Sequence, residues 1–306
     1  MDRFHPDMPE SPGNADSAES VRIPGPVFAV AAVLAVCLAS PALLAATGDE
    51  TWYALPLTAA AAVVWRRGRL TGAELGLARG RGFYARATLL PLAAVGLVVW
   101  LATAVGATRV GEARLGLLAI QVSTMAVFTT MGTLVTEDGF FRGALWGLLD
   151  RRGRSDDEIL LWTATAYALW YLPLVWLAPS PVAGPEALAV RTLNLWLLAL
   201  AWGILRLVSG SLLVAAWSHG LWNGLAYTLF GFGASTGALG IVDPLDFDPE
   251  RGWAGVAVNA AAVLILLRWW RAHEAAEALE AEEAADVAAA KGRGSSGSGG
   301  DATEPP

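Results

Sequence analysis

Long apolar runs separated by short polar segments cover most of this chain. A helix needs about 20 apolar residues to cross the hydrocarbon core of a bilayer. The pattern predicts an all-α fold, a polytopic integral membrane helix bundle with about eight transmembrane helices. The predicted spans are residues 26–46, 52–65, 87–107, 115–135, 159–178, 188–208, 211–230 and 253–270. The fourth apolar run continues to about Leu149, which predicts either one long tilted helix or two helices broken near Thr136.

Composition excludes several classes of protein. Of the 306 residues, 55% are hydrophobic and 16% are charged, whereas a soluble domain carries roughly 25% charged residues. The formal net charge is −7. The sequence offers no basic surface of the kind that binds nucleic acid. Cys37 is the only cysteine, which excludes an intrachain disulfide and a cysteine-rich metal site.

The ends of the chain differ in composition from its middle. Residues 1–22 are polar and predict a disordered tail, residues 23–271 form the predicted membrane domain, and residues 272–306 predict an acidic helix followed by a disordered tail. Arginine clusters recur in alternate loops, as at 66–86 and 151–154. The positive-inside rule then predicts that both termini are cytoplasmic. The preference for Arg over Lys indicates a prokaryotic plasma membrane.

Ionisable residues inside a predicted span are candidates for a functional site, because each costs roughly 2.5–3.5 kcal/mol on insertion scales. Glu137, Asp138 and Arg142 form the first such cluster. Asp138 and Arg142 are one helical turn apart, with the acid first, which predicts a supporting ion pair. Glu137 has no equivalent local partner and is a candidate general base. The alternative is a charge cluster at the membrane interface.

A second polar cluster lies in the seventh predicted span. His219 and Asn223 share one helix face, and an imidazole with an amide can hold a metal, bind water or donate to an oxyanion. Gly220 and Gly224 form a pair of small residues that lets another helix approach closely. The alternative is a polar pair that joins helices by hydrogen bonds. Together the two clusters supply a carboxylate, an imidazole and an amide on separate spans.

These clusters resemble motifs of the CPBP family (CAAX protease and bacteriocin-processing, or Abi), whose members are intramembrane endopeptidases. The family carries Glu-Glu-x-x-x-Arg, Phe-x-x-x-His and His-x-x-x-Asn/Asp motifs. Glu137-Asp138-x-x-x-Arg142 is similar to the first motif, with Asp in place of the second Glu, and His219-x-x-x-Asn223 is similar to the third.

The middle motif departs from the family pattern. Tyr167 fills the Phe position, and Tyr171 stands where the family has His. The other histidines, His5 and His273, lie in the predicted tails, so a two-histidine metal site cannot form in the core. Tyrosine is a poor base, although its hydroxyl can hold a water. Ordinary aromatic packing is the alternative role for Tyr171.

The resemblance implies that Glu137 activates a water for attack on a peptide bond of a membrane-associated peptide or protein. It also implies that His219 and Asn223 polarise the carbonyl or stabilise the oxyanion. A divalent metal such as zinc is left open, with Glu137 and His219 as candidate ligands, although zinc sites usually have three or more protein ligands.

Three functions are compatible with these features. The first is an intramembrane endopeptidase that acts on a substrate held at the lipid bilayer. The second is a catalytically impaired homologue that binds membrane partners, for example as a bacteriocin immunity protein, because Tyr171 replaces the motif histidine. The third is a proton-coupled carrier in which Glu137 is the proton site.

Overall fold

The described part of the chain is helical, and it contains no β-strand. The computed structural model describes residues 26–49, 52–78, 80–109, 115–177, 184–233 and 235–295. The helices are α1 (Pro26–Thr47), α2 (Leu55–Gly68), α3 (Tyr84–Ala104), α4 (Leu115–Val135), a π-helical segment (Gly139–Leu145), α5 (Trp146–Asp150), α6 (Asp156–Leu177), α7 (Pro185–Ser209), α8 (Leu212–Leu229), α9 (Pro244–Phe247) and α10 (Trp253–Ser295). The predicted all-α class is confirmed. The predicted tail at 1–22 and the last residues of the predicted C-terminal tail lie outside the described residues, so the domain division stays a prediction.

Six of the described helices are long and apolar enough to cross a membrane: Val27–Thr47, Tyr84–Ala104, Leu115–Val135, Asp156–Leu177, Pro185–Ser209 and Trp253–Ala285. The predicted count of eight is not confirmed. Helix α2 has 14 residues and is about 21 Å long at 1.5 Å per residue, which is shorter than the bilayer core. Helix α8 carries His219 and Asn223 among its apolar residues and is largely surrounded by other helices.

The helix changes type where the fourth apolar run was expected to break. Helix α4 ends at Val135, and the chain continues through Gly139 into one turn and a half of π-helix. A Cβ atom at Gly139 would lie 2.5 Å from the Leu134 carbonyl oxygen, so only glycine fits without a shift of the backbone. Such π-helical insertions often occur at functional sites, and this one begins directly after Glu137 and Asp138 and contains Arg142.

Helix α8 lies at the centre of the bundle, where it packs against α3, α4 and α7. Its contact with α4 is close, because a Cβ atom at Gly220 would overlap Thr130, and one at Gly224 would lie 2.7 Å from the Val122 carbonyl oxygen. Thr129 also donates a hydrogen bond to the Gly220 carbonyl oxygen at 2.9 Å. The close approach predicted from the glycine pair is therefore present.

A polar network fixes the segment between α2 and α3 at one end of the bundle. Arg151 donates hydrogen bonds to the Glu74 carboxylate, and Thr71 donates to the same carboxylate from its backbone N–H at 2.6 Å. Partial burial opposes the ionisation of Glu74, but the hydrogen bonds from Arg151 and Thr71 outweigh it and hold the pKa of Glu74 below its ordinary value. The network joins this segment to the loop after α5.

Candidate active site

Two tyrosine hydroxyls hold the carboxylate of Glu137. Glu137 is buried and lies in the helical turn between α4 and the π segment. Tyr167 donates to its Oε2 at 2.8 Å, and Tyr171 donates to its Oε1 at 3.1 Å, both from α6. Tyr171 also packs against Tyr167, with 5.0 Å between ring centroids. The residue at the histidine position of the motif therefore contacts the candidate acid as well as taking part in aromatic packing.

Asp138 joins His219 to Arg142. The carboxylate of Asp138 is fully buried and accepts a hydrogen bond from Arg142 Nη1 at 2.9 Å, which is the predicted ion pair. Its other oxygen, Oδ2, lies 3.0 Å from His219 Nδ1. Neither Glu137 nor Asp138 is exposed on the outside of the bundle, which argues against a charge cluster at the membrane interface.

His219 also faces the candidate acid. Its Nε2 lies 3.8 Å from Glu137 Oε2, which is too long for a direct hydrogen bond but within reach of a shared water. The indole of Trp202 on α7 stacks on the imidazole at 3.7 Å between centroids and 21° between planes. The Arg142 guanidinium lies over the same indole at 5.3 Å. The imidazole ring is thus fixed on one face by Trp202 and on one edge by Asp138.

Asn223 is buried one helical turn after His219 on α8. Its side-chain amide makes no hydrogen bond with any of the described residues, so it is not hydrogen-bonded to Glu137 or His219. An amide without a protein partner is the kind of group that a bound substrate could satisfy. The geometry thus joins Glu137, Asp138, Arg142, His219 and Tyr171, and leaves Asn223 beside them.

Sequence reasoning missed three features of this site. The motif predicts only an aromatic ring at Tyr167, although its spacing of four residues from Tyr171 puts both hydroxyls on one helix face. Trp202 gave no signal, because it is one of 14 tryptophans in mostly apolar helices. Glu250 lies in the loop before α10, where no sequence motif indicates a role at the site.

Glu250 accepts a hydrogen bond from the indole N–H of Trp222 at 3.0 Å. Burial and the nearby Asp248 carboxylate raise the pKa of Glu250, and Arg191 and Arg251 oppose them in part. Glu250 also interacts electrostatically with Tyr171. A second acid therefore lies close enough to Tyr171 to interact with it.

The donors at this site do not form a metal centre by themselves. Among the described residues, no group of three or more His, Cys, Asp or Glu side chains is placed to hold a metal ion. Glu137 and His219, the two candidate ligands, lack the third protein ligand that zinc sites usually have. Asp138 cannot readily supply it, because its two oxygens already face Arg142 and His219.

Comparison with known proteins agrees with the motifs. Residues 119–225 match the family model described as Type II CAAX prenyl endopeptidase Rce1-like, and this stretch contains every site residue predicted from the sequence. No curated protein and no solved structure matches the chain significantly. Six apolar helices together with this match make the chain an integral membrane protein. The predicted resemblance is therefore confirmed: over residues 119–225 this chain matches the Rce1-like type II CAAX prenyl endopeptidases, which belong to the CPBP family.

Proposed function

We propose that this protein is an intramembrane endopeptidase that cleaves a membrane-associated peptide or protein, with Glu137 as the group that activates water. The observation that carries the proposal is the facing pair of Glu137 and His219, a buried carboxylate and a buried imidazole 3.8 Å apart. A family match to peptidases over the same residues supports it. A buried acid and a buried imidazole that one bridging water can reach are suited to proton transfer.

The proposed reaction is peptide hydrolysis. A water held by Glu137 attacks the carbonyl carbon, its O–H bond breaks, and Glu137 takes the proton. The tetrahedral intermediate then collapses, the C–N bond breaks, and the leaving nitrogen receives the proton from Glu137. Proton transfer by a positioned group typically contributes about 10²–10⁴ in rate. The hydroxyls of Tyr167 and Tyr171 fix the direction in which the carboxylate presents its remaining lone pairs.

Asn223 is the proposed donor to the oxyanion. Its amide is buried and makes no hydrogen bond within the described part of the chain, so the developing oxyanion would supply the missing acceptor. Removing one such donor typically lowers the rate by about 10²–10³. Because the partner is present only in the transition state, the amide contributes to catalysis more than to folding.

The proposed substrate class follows from the name of the matched family, which describes endopeptidases that act on CAAX prenyl proteins. A prenylated segment near a C-terminus would be held at the bilayer by its lipid. Helix α4 ends just before the turn that contains Glu137. It exposes Ile120, Val127 and Phe128 on its outer face. A lipid-anchored peptide could therefore lie along α4 and reach the site from the membrane.

The test is cleavage of a fluorescence-quenched farnesylated CAAX peptide by the purified protein in lipid vesicles. The substitution Glu137→Gln preserves the shape of the side chain and removes the base, so we expect a loss of at least about 10² in kcat. Glu280→Gln makes the same exchange at an exposed position on α10 and should leave the rate unchanged. Cleavage by Glu137→Gln at the parent rate would remove Glu137 from the mechanism.

One observation favours the second candidate function, an impaired homologue that binds membrane partners. Both carboxylate oxygens of Glu137 already accept tyrosine hydroxyls, and the family histidine is missing at Tyr171. Under this alternative the parent protein is nearly inactive, and Tyr171→His raises its cleavage of the farnesylated peptide. Under the endopeptidase proposal the parent protein cleaves the peptide and Tyr171→His gives no large increase.

A further inference from the structure

We propose that Arg206 is a positioning residue: its guanidinium holds the backbone at Arg142 and keeps the π-helical register on which the ion pair with Asp138 depends. Its action on the site passes through the π-helical segment (Gly139–Leu145). This inference rests on the proposed function and deepens it, because it adds a residue outside the three motifs to the machinery of the proposed reaction.

Arg206 joins two parts of the backbone that are distant in the chain. It lies in the last turn of α7 and is buried, with 7% of its surface exposed. Its Nε donates a hydrogen bond to the Arg142 carbonyl oxygen at 3.3 Å, and its Nη2 donates to the Glu74 carbonyl oxygen at 3.4 Å. The planar fork of a guanidinium holds two acceptors in a fixed relation to one another. One side chain therefore ties the π-helical segment to residues 71–78, between α2 and α3.

Residues 71–78 enclose the guanidinium on the side away from the π-helical segment. A Cβ atom at Gly76 would overlap the Arg206 guanidinium, and Gly76 has a φ of +74°. The backbone N–H of Leu212 donates to the Gly76 carbonyl oxygen at 2.7 Å, so the start of α8 holds this backbone in place. Movement of the guanidinium away from the Arg142 carbonyl oxygen would therefore require a shift of the backbone at Gly76.

The π-helical register decides where the Arg142 side chain points. A π-helical turn closes from residue i to residue i+5 and so holds one residue more than an α-helical turn. Return to the α register would rotate the side chains after the turn by about 100° relative to those before it. Asp138 directly precedes the π-helical segment and Arg142 lies within it, with 2.9 Å between their paired atoms. Asp138 also lies 3.0 Å from His219, so a shift at Arg142 would be passed on to the imidazole.

A second residue on the same face of α7 contacts the same group of side chains. Trp202 precedes Arg206 by one helical turn. Its indole stacks on His219 at 3.7 Å between ring centroids, and the Arg142 guanidinium lies 5.3 Å from that indole. One face of α7 thus contacts the imidazole and the Arg142 side chain through Trp202, and the Arg142 backbone through Arg206. This arrangement favours a positioning role for Arg206.

The first experiment compares two arginines that hold residues 71–78. Arg206→Gln removes the donor to the Arg142 carbonyl oxygen, whereas Arg151→Gln removes the ion pair with Glu74 and leaves the contact with the π-helical segment. Both substitutions should lower the unfolding temperature. Only Arg206→Gln should lower kcat for the farnesylated peptide, by about 10², because a misplacement of about 1 Å can cost that much. KM should be nearly unchanged in both variants.

Hydrogen exchange followed by mass spectrometry, in lipid vesicles, measures the register without reference to cleavage. Loss of the Arg206 contact should speed amide exchange in residues 139–145, because exchange reports local opening. Arg151→Gln should leave exchange in those residues at the parent rate. Unchanged exchange in Arg206→Gln, or an equal loss of kcat in the two variants, overturns the inference.

Arg206→Lys covers the case in which Arg206→Gln does not fold. Lysine keeps the charge but lacks the planar fork of donors, so this variant should fold and show the same two changes at a smaller size, about tenfold in kcat. Parent values of both kcat and exchange in Arg206→Lys count against the inference. Absence of cleavage by the parent protein would instead be a failure of the proposed function, and the exchange measurement would still decide whether Arg206 holds the π-helical register.

Discussion

The two tyrosine hydroxyls at Glu137 should contribute unequally to stability. Tyr167→Phe removes a donor that lies 2.8 Å from the carboxylate in a site where Tyr167 is 1% exposed. Hydrogen bonds to charged groups are worth about 1.5–3 kcal/mol, and a buried acceptor left without its donor incurs a similar cost. We therefore expect Tyr167→Phe to lower the free energy of unfolding by about 1.5–3 kcal/mol, although phenylalanine is the residue that the family motif has at this position.

Tyr171→Phe should cost less. Its hydroxyl lies 3.1 Å from Glu137, and the side chain is only half-buried. Water can replace the hydroxyl at a half-buried position, so we expect a loss of about 1 kcal/mol or less. The two substitutions are a matched pair, because each removes one oxygen atom from the same helix face and leaves the aromatic ring.

The assay is equilibrium unfolding of the purified protein in mixed micelles, with tryptophan fluorescence as the signal. Both substitutions are also made in a Glu137→Gln background, where the carboxylate charge is absent and each hydroxyl meets a neutral amide. The cost of Tyr167→Phe should then fall to about 0.5–1.5 kcal/mol, the range for a neutral hydrogen bond. Equal costs in both backgrounds, or a larger cost for Tyr171→Phe than for Tyr167→Phe, would refute this account of the site.

Three further predictions concern packing, pH dependence and the oxyanion donor. Gly220→Ala should lower the yield of folded protein, because its Cβ would overlap α4, whereas Gly116→Ala, with open space around its Cβ, should be tolerated; equal yields would contradict the packing. The pKa of Glu74 is held below its ordinary value, so its stabilising contribution is complete at neutral pH and is lost as the pH falls below about 4.5 through that lowered pKa. Thermal unfolding as a function of pH should show a smaller acid destabilisation for Glu74→Gln, and an unchanged profile would count against the network. Asn223→Ala should reduce kcat by about 10²–10³ with little change in unfolding temperature, and a large loss of stability with full activity would assign the amide to folding.

Local spacing explains which parts of the site could be predicted. Asp138 and Arg142 lie four residues apart on continuous helical backbone, and their ion pair forms between side chains one turn apart. The close contact of α4 with α8 was predictable from the Gly220 and Gly224 pair for the same reason. These features depend on helix geometry, which repeats along the chain and can be counted in the sequence.

Length and hydropathy were less decisive for the number of spans. Helix α2 has 14 residues, and α8 contains the polar residues His219 and Asn223, so neither fits the criteria of length and hydropathy that six other helices satisfy. A helix in the middle of a bundle can carry polar groups, because its neighbours supply partners that lipid cannot. The sequence alone does not show which helix has such neighbours.

The amino-acid sequence by itself determined that the chain is a helical membrane protein with an acid cluster and an imidazole on separate helices. Only the tertiary structure decided that Asp138, and not Glu137, hydrogen-bonds to His219, and that two tyrosine hydroxyls hold Glu137. The physical reason is that adjacent residues on a helix point about 100° apart. The rotation and depth of α6 and α8 therefore select which of the two acids each neighbour meets, and those quantities are set by packing between helices that are distant in the chain.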